Sequence, residues 1–161
     1  IKDKENNGFS YEVASASLEL LLKKEKRLIK SPFKLIEYDI RLKSADLHKE
    51  NQCTASIRLS INKNEIEKTS IGNGPVAALD KALREALLKF YPSLDKVKLT
   101  DYKVRVVNES EATESVVRVS IESADDKEVW TTVGASANII EASWMALSDS
   151  MEWWLTKNIN D

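Results

Sequence analysis

Ile36-Glu37-Tyr38-Asp39-Ile40-Arg41-Leu42-Lys43 sets an apolar or aromatic side chain at every second position, with a charged one between. Successive side chains of an extended chain point to opposite faces, so this stretch predicts a strand with Ile36, Tyr38, Ile40 and Leu42 on one side and Glu37, Asp39, Arg41 and Lys43 on the other. A second alternating run opposes Ile57, Leu59 and Ile61 to Ser56, Arg58 and Ser60. The polar segment 44–52 between the two reads as a turn. A third, weaker strand is predicted over about 65–71, after the turn Asn62-Lys63-Asn64. Gly72-Asn73-Gly74-Pro75 follows, and Pro75 suits the first turn of a helix, where its missing N–H costs nothing. That helix carries Val76, Leu79, Leu83, Leu87 and Phe90 on one face and stops before Pro92.

The same programme then runs a second time. Thr100, Tyr102, Val104 and Val106 match Ile36, Tyr38, Ile40 and Leu42 at a displacement of 64. Val117, Val119 and Ile121 match Ile57, Leu59 and Ile61 at 60, and Gly134 matches Gly72 at 62. A helix bearing Ile139, Ala142, Ala146 and Trp154 closes the second copy. Such self-similarity signals an internal duplication. Strands with one apolar and one polar side form antiparallel sheets covered on one face by helices. The fold class is therefore α+β: two pseudo-twofold related βββα units with antiparallel sheets and packed helices. Repeat one is expected over about 32–92 and repeat two over about 96–158. Two similar halves also favour a symmetric homodimer.

Upstream, Val13, Ala16, Leu20 and Leu21 mark an amphipathic helix over about 10–28, with Ser10 as its cap. Residues 1–31 are read as a connector segment to something upstream, and a chain that starts at Ile1 as a piece cut from a longer cytoplasmic protein. The 161 residues suffice for one domain with a real core. A net charge of −2 lacks the basic excess of a nucleic-acid-binding surface, and no apolar run approaches the length of a membrane span. The cluster Lys23, Lys24, Lys26, Arg27 and Lys30 is read as a solvated helix end.

Catalytic constellations are missing. The one histidine, His48, falls in a polar turn, and the one cysteine, Cys53, has no neighbour in sequence to activate it. No HxH, HExxH or CxxC spacing offers a metal site. Asp125-Asp126 is a turn former before it is an acid/base pair. Trp144 and Trp154 are expected in the core or an interface. The two glycine segments remain. Gly72-Asn73-Gly74 and Gly134-Ala135-Ser136 each precede a helix, whose free N–H groups suit a carboxylate or phosphate. The alternative is that both are tight turns needing positive φ at glycine.

Three longer strings resemble the regulatory motifs of the α-isopropylmalate synthase and citramalate synthase family. They are residues 72–83 (GNGPVAALDKAL), 99–106 (LTDYKVRV) and 132–150, which contains Asn138-Ile139-Ile140-Glu141-Ala142-Ser143-Trp144. Residues 9–21 resemble the connector that precedes that domain in the family, and the second and third strings are more similar to the citramalate synthase branch. The resemblance implies the C-terminal allosteric domain, a homodimer without catalytic residues or cofactor of its own. It would be attached to a TIM barrel that condenses acetyl-CoA with a 2-oxo acid using a divalent metal. The effector it implies is isoleucine for the citramalate branch and leucine for the other. A dimerisation module that binds no effector is the further alternative. By the same resemblance the effector site takes in Tyr38, Asp39, Leu59, Ile66, Gly72, Asn73, Gly74 and Val76, with Gly134, Ala135 and Ser136 from the second half. Ala135 and Ala137 depart from the family's pattern. The expected contacts are helix-start N–H groups on the amino acid's carboxylate, Asp39 on its ammonium, and Leu59, Ile66 and Val76 around its side chain.

Overall fold

The computed structural model describes residues 14–43, 52–107 and 115–159. Helix α1 (Ser15–Glu25) is followed by strands β1 (Lys34–Lys43), β2 (Gln52–Ile61) and β3 (Asn64–Gly72) and helix α2 (Pro75–Leu88). A short 3-10 turn (Pro92–Lys96) leads to β4 (Lys98–Val107), β5 (Val116–Ala124), β6 (Val129–Ser136) and helix α3 (Ile139–Asn158). The strands form two separate antiparallel sheets, β1-β2-β3 and β4-β5-β6, as the alternation predicts. Ser10 and Val13, the start of the predicted first helix, and His48 lie outside the described residues.

The chain divides into two compact units. One, Ser31–Asp95, holds the first sheet and α2; the other joins Lys96–Asp161 with the N-terminal helix. In the first unit, β2 is the central strand, and its alternation buries Cys53, Ala55, Ile57, Leu59 and Ile61. These meet Ala78, Leu79, Ala82, Leu83, Ala86 and Leu87 of α2, all fully buried. The alanines alternate with leucines along the helix, which lets α2 lie close over β2 and β3. Asn62 and Lys63, with φ of 50° and 67°, are the two loop residues between Ile61 and its partner Asn64. Positive φ at both is the signature of the hairpin turn whose twist suits its strands, so Asn64 belongs to β3 rather than to the turn.

Cross-strand pairing gives the duplication a single displacement of 64. Tyr38 faces Ile57 as Tyr102 faces Ile121, and Ala55 faces Ser70 as Val119 faces Gly134. Both first strands bulge at equivalent places, Leu35/Glu37 and Leu99/Asp101. The displacements of 60 and 62 read from the sequence are therefore corrected. Gly134 corresponds to Ser70, and Gly72 to Ser136. Matching apolar with apolar misplaced β5 because the second core is built differently. Where unit one has Leu59, Ile66 and Ala86, unit two has Ser123, Trp130 and Ser150. The serine hydroxyls are 2.7 Å apart and the Trp130 indole N–H donates to Ser150 at 3.0 Å, so this buried polar cluster is satisfied.

Helix α1 packs against α3 and β6. Its Ser17 hydroxyl donates to Asp149 of α3 at 2.9 Å and accepts the backbone N–H of Val133 at 3.0 Å. One hydroxyl thus closes an edge-strand N–H that would otherwise stay buried and unpaired. Trp153 donates to Glu19 at 2.9 Å, and Lys24 reaches the buried Glu152 at 2.6 Å. Of the basic cluster, Lys23 and Lys24 are in ion pairs, with Glu19 and Glu152. Trp144 and Trp154 are buried, and Trp154 donates to Asp125 at 2.8 Å. Among the described residues, no helix is long and apolar enough to cross a membrane.

Candidate functional site

The two glycine segments turn out to be different structures. Gly72 ends β3 and Gly74 is the N-cap of α2, whereas Gly134, Ala135 and Ser136 are strand residues of β6. Neither Gly72, Gly74 nor Gly134 has positive φ; Gly74 is extended at −164°. The positive-φ alternative is therefore corrected. Gly72 and Gly134 instead mark where strand and helix come closest. A Cβ on Gly72 would lie 2.5 Å from the Ala78 nitrogen, and one on Gly134 would lie 2.0 Å from the Ala142 carbonyl oxygen. Ala78 and Ala142 are equivalent under the 64-residue displacement, so both glycines admit the same alanine of the facing helix.

The helix starts also differ. Asn138 caps α3, its Oδ1 accepting from the N–H groups of Ile140 at 2.8 Å and Glu141 at 3.4 Å. Ser136 donates to the Glu141 carboxylate at 2.7 Å and accepts the Asn138 N–H at 3.1 Å. The α3 start supplies its own oxygens and its own negative charge. At the α2 start Gly74 brings no side-chain cap, Pro75 brings no N–H, and no acidic residue sits in the first turn. The N–H groups of Val76 and Ala77 therefore keep the orphan character of an uncapped helix end. Of the two helix starts, the one at Gly74 is open to an external anion.

The remaining residues expected at the site spread along the first sheet. Tyr38 pairs with Ile57, Leu59 with Ile66, and Gly72 with Cys53. All these lie on the side that α2 covers. Leu59 and Ile66 sit next to the Asn62-Lys63 turn, six residues from the Gly72 row, or about 20 Å at 3.3 Å per residue. Leu59 is fully buried and Ile66 nearly so, in the core beneath α2. Asp39 pairs with Ser56 on the opposite side of the sheet, exposed, with Arg41 at 3.5 Å. Within one protomer the sheet therefore lies between Asp39 and the α2 start. Gly72, Asn73, Gly74 and Val76 do come together there. The residue missed is Leu42, in the Leu42–Cys53–Gly72 row and 59% exposed; the two-residue period gave its side but not its lack of cover.

The second sheet carries, on its side away from α3, a cavity of about 210 Å³ lined by Asp101, Lys103, Arg105, Arg118, Ser120, Glu122 and Thr131. Lys103 pairs with Asp101 at 3.1 Å, and Thr100 donates to Glu122 at 2.8 Å. The Lys103 ammonium and the Tyr102 N–H hold the Asp101 carboxyl below its usual range. None of these residues was expected at a site. Cys53 is buried among apolar side chains, which pushes its thiol up, away from the reactive thiolate. Among the described residues no group of three or more His, Cys, Asp or Glu is placed to hold a metal ion.

Residues 12–155 match the family described as the LeuA allosteric (dimerisation) domain. The chain is 47% identical over 158 residues to an (R)-citramalate synthase of Aquifex aeolicus, covering 98% of this chain and 30% of that protein. It is 45% identical over 159 residues to an (R)-citramalate synthase of Geobacter sulfurreducens, again 98% of this chain and 30% of the relative. A 2-isopropylmalate synthase of Shewanella frigidimarina is 28% identical over 98 residues, 61% of this chain and 17% of that protein. The chain thus spans about a third of the length of these synthases or less.

Proposed function

Since the chain belongs to the LeuA allosteric (dimerisation) domain family, we propose that it senses isoleucine and conveys feedback inhibition to a citramalate synthase. It is a regulatory and dimerisation domain of the citramalate synthase family; the effector, the parent reaction and the homodimer are the proposal. The parent is a cytoplasmic acyltransferase that condenses acetyl-CoA with a 2-oxo acid, its divalent metal held in a catalytic barrel outside this chain. This chain alone does no chemistry.

The observation that carries the reading is the contrast between the two helix starts. The amino acid's carboxylate meets the Val76 and Ala77 N–H groups, which have no cap and no acidic neighbour in the turn. Val76, half-buried, and Leu42 flank its apolar side chain. Leu59 and Ile66 act from beneath, through the core on which α2 rests. Asp39, across the sheet, has no part in a site on the α2 side. Ser136 and Asn138 hold the α3 start closed, and Gly134 and Ala135 lie in β6 and give the amino acid's carboxylate no contact in this reading.

Calorimetric titration of the chain with isoleucine and with leucine tests the proposal. Isoleucine should bind more tightly, by the roughly 1–3 kcal/mol that apolar shape alone can discriminate. No heat with either would leave a dimerisation module and refute the sensor. Tighter leucine binding would favour a second reading, the leucine-sensing domain of a 2-isopropylmalate synthase, which the Shewanella relative keeps in view.

A further inference from the structure

The two sheets differ on the side away from their helices. In the first, the β1–β2 row Glu37–Arg58 sets opposite charges across the strands, in an ion pair at 3.1 Å. In the second, β4 and β5 set like against like twice. Asp101 stands directly opposite Glu122 and, four residues along, Arg105 stands opposite Arg118, with Lys103 and Ser120 in the row between. Like charges directly opposite each other are unfavourable, and exchanging Arg118 with Glu122 would pair both rows. A local rule kept in one copy of a duplicated fold and broken in the other is the mark of a functional or a strained site. Neither strand holds a positive-φ residue, which leaves function.

These rows line the cavity of about 210 Å³, in which every lining side chain carries a charge or a hydroxyl. Arg118, Ser120, Glu122 and Thr131 are half-buried there. On the β6 side Val133, the cross-strand partner of Ser120, is buried with Ala14, and Leu18 and Leu21 of α1 pack on it. Helix α1 therefore rises over β6 on the same side of the sheet as the cavity. At the acidic end β4 bulges at Thr100, whose hydroxyl is turned onto the Glu122 carboxylate at 2.8 Å. Lys103 reaches back to Asp101 at 3.1 Å. The cavity is thus bipolar, with two carboxylates and the Thr131 hydroxyl in one row and two guanidinium groups in the other.

We infer that this cavity binds a small zwitterion, its carboxylate between Arg105 and Arg118 and its ammonium on Asp101 and Glu122. A guanidinium fork matches a carboxylate, and an ionised carboxyl only accepts, as an ammonium requires. Side chains stand roughly perpendicular to a sheet, so each head group is placed over its own row. The two charged rows, four residues apart, are separated by about 13 Å at 3.3 Å per residue. Hydrogen bonds of about 3 Å at each end leave about 7 Å between the ligand's charges. A dipeptide or an ω-amino acid has that span. An α-amino acid such as isoleucine, with both charges on one carbon, does not. A dicarboxylate would set its second charge against Asp101 and Glu122. The site shares no residue with the α2 start.

Titrating the isotope-labelled chain with diglycine and with ε-aminocaproate, followed by amide chemical shifts, tests the site. At least one of the two should move the Arg118, Ser120 and Glu122 amides and leave Val76 and Ala77 in place; the tighter binder tells a peptide from an ω-amino acid. Caproate, which lacks the ammonium, and adipate, which carries a second carboxylate, should bind at least tenfold more weakly than ε-aminocaproate. Arg105→Gln with Arg118→Gln should weaken the zwitterion at least tenfold. Glu122→Gln should weaken it at least fivefold while leaving caproate no weaker, a split that loss of structure would not produce. Circular dichroism establishes that each variant is folded. No shift on β5 with either zwitterion at millimolar concentration, or caproate binding as tightly as ε-aminocaproate, would overturn the proposal. Either result leaves the isoleucine reading untouched, since that rests on Val76 and Ala77.

Discussion

Replacing Gly134 with alanine adds one methyl group at the point where β6 and α3 come closest. The new Cβ would lie 2.0 Å from the Ala142 carbonyl oxygen, 2.9 Å from its carbonyl carbon and 2.8 Å from the Met145 Cβ. The nearest of these atoms belong to the backbone of α3, so no rotamer change relieves the clash. The helix has to withdraw by about 1 Å, and its fully buried face, including Ala142, Ala146 and Leu147, loses close packing along its length. Overpacking a filled core costs about 1–3 kcal/mol and sometimes more. With backbone opposing backbone, a loss of about 3 kcal/mol or more is expected. The control is Gly74→Ala. Nothing lies within 4 Å of its added Cβ, and its extended backbone suits any residue. A small loss of N-cap preference there is offset by the reduced freedom of the unfolded chain, for a net change within about 0.5 kcal/mol. Urea unfolding followed by far-ultraviolet circular dichroism measures both, and tryptophan fluorescence reports on Gly134→Ala in particular, since all four tryptophans, Trp130, Trp144, Trp153 and Trp154, belong to the second unit. A loss below about 1 kcal/mol for Gly134→Ala would refute the close-approach reasoning, as would a Gly74→Ala variant equally destabilised.

Three further outcomes follow from the contacts. Ser17→Ala removes the acceptor of the Val133 N–H and a donor to Asp149, and should cost about 1–3 kcal/mol in the same unfolding assay. Asn138→Ala uncaps α3 and should cost about 1 kcal/mol. At Asp125, burial acts to raise the pKa, but the Trp154 indole N–H and the backbone N–H groups of Lys127 and Glu128 outweigh it, and the carboxyl titrates below its usual range. A carboxyl with a depressed folded-state pKa stabilises above its unfolded pKa and loses that contribution as pH falls toward the folded value. Urea midpoints measured from neutral pH down through the carboxylate range should therefore fall less steeply for Asp125→Asn than for the wild type, and parallel curves would contradict the assignment.

The strands were legible because one side of each is buried. The alternation of Ile57, Leu59 and Ile61 with Ser56, Arg58 and Ser60 is the burial pattern of β2 itself. The register between copies was not legible. Where Leu59 becomes Ser123 and Ile66 becomes Trp130, a wider ring and hydrogen-bonded hydroxyls fill the same space, and apolar matching slides to the next apolar residue. The glycines could be seen, but not their purpose. Gly134 is set by the closeness of Ala142, which is local to neither in sequence. The packing of α1 on the second unit was hidden for a similar reason, since it rests on one hydroxyl bridging Val133 and Asp149. For the site, sequence singled out Gly74-Pro75-Val76 at a helix start, and the structure keeps them together. It could not show that Asn138 closes the other helix start, or that Asp39 and Val76 stand on opposite sides of a sheet.

The effector site at the α2 start is tested most directly by amide chemical shifts recorded as isoleucine is added to the isotope-labelled chain. The account expects the largest changes at the Val76 and Ala77 amides, with Ile140 and Glu141 at the Asn138-capped start of α3 barely moved. Shifts centred on Ile140 and Glu141, or none at Val76 and Ala77 at saturating isoleucine, would contradict it.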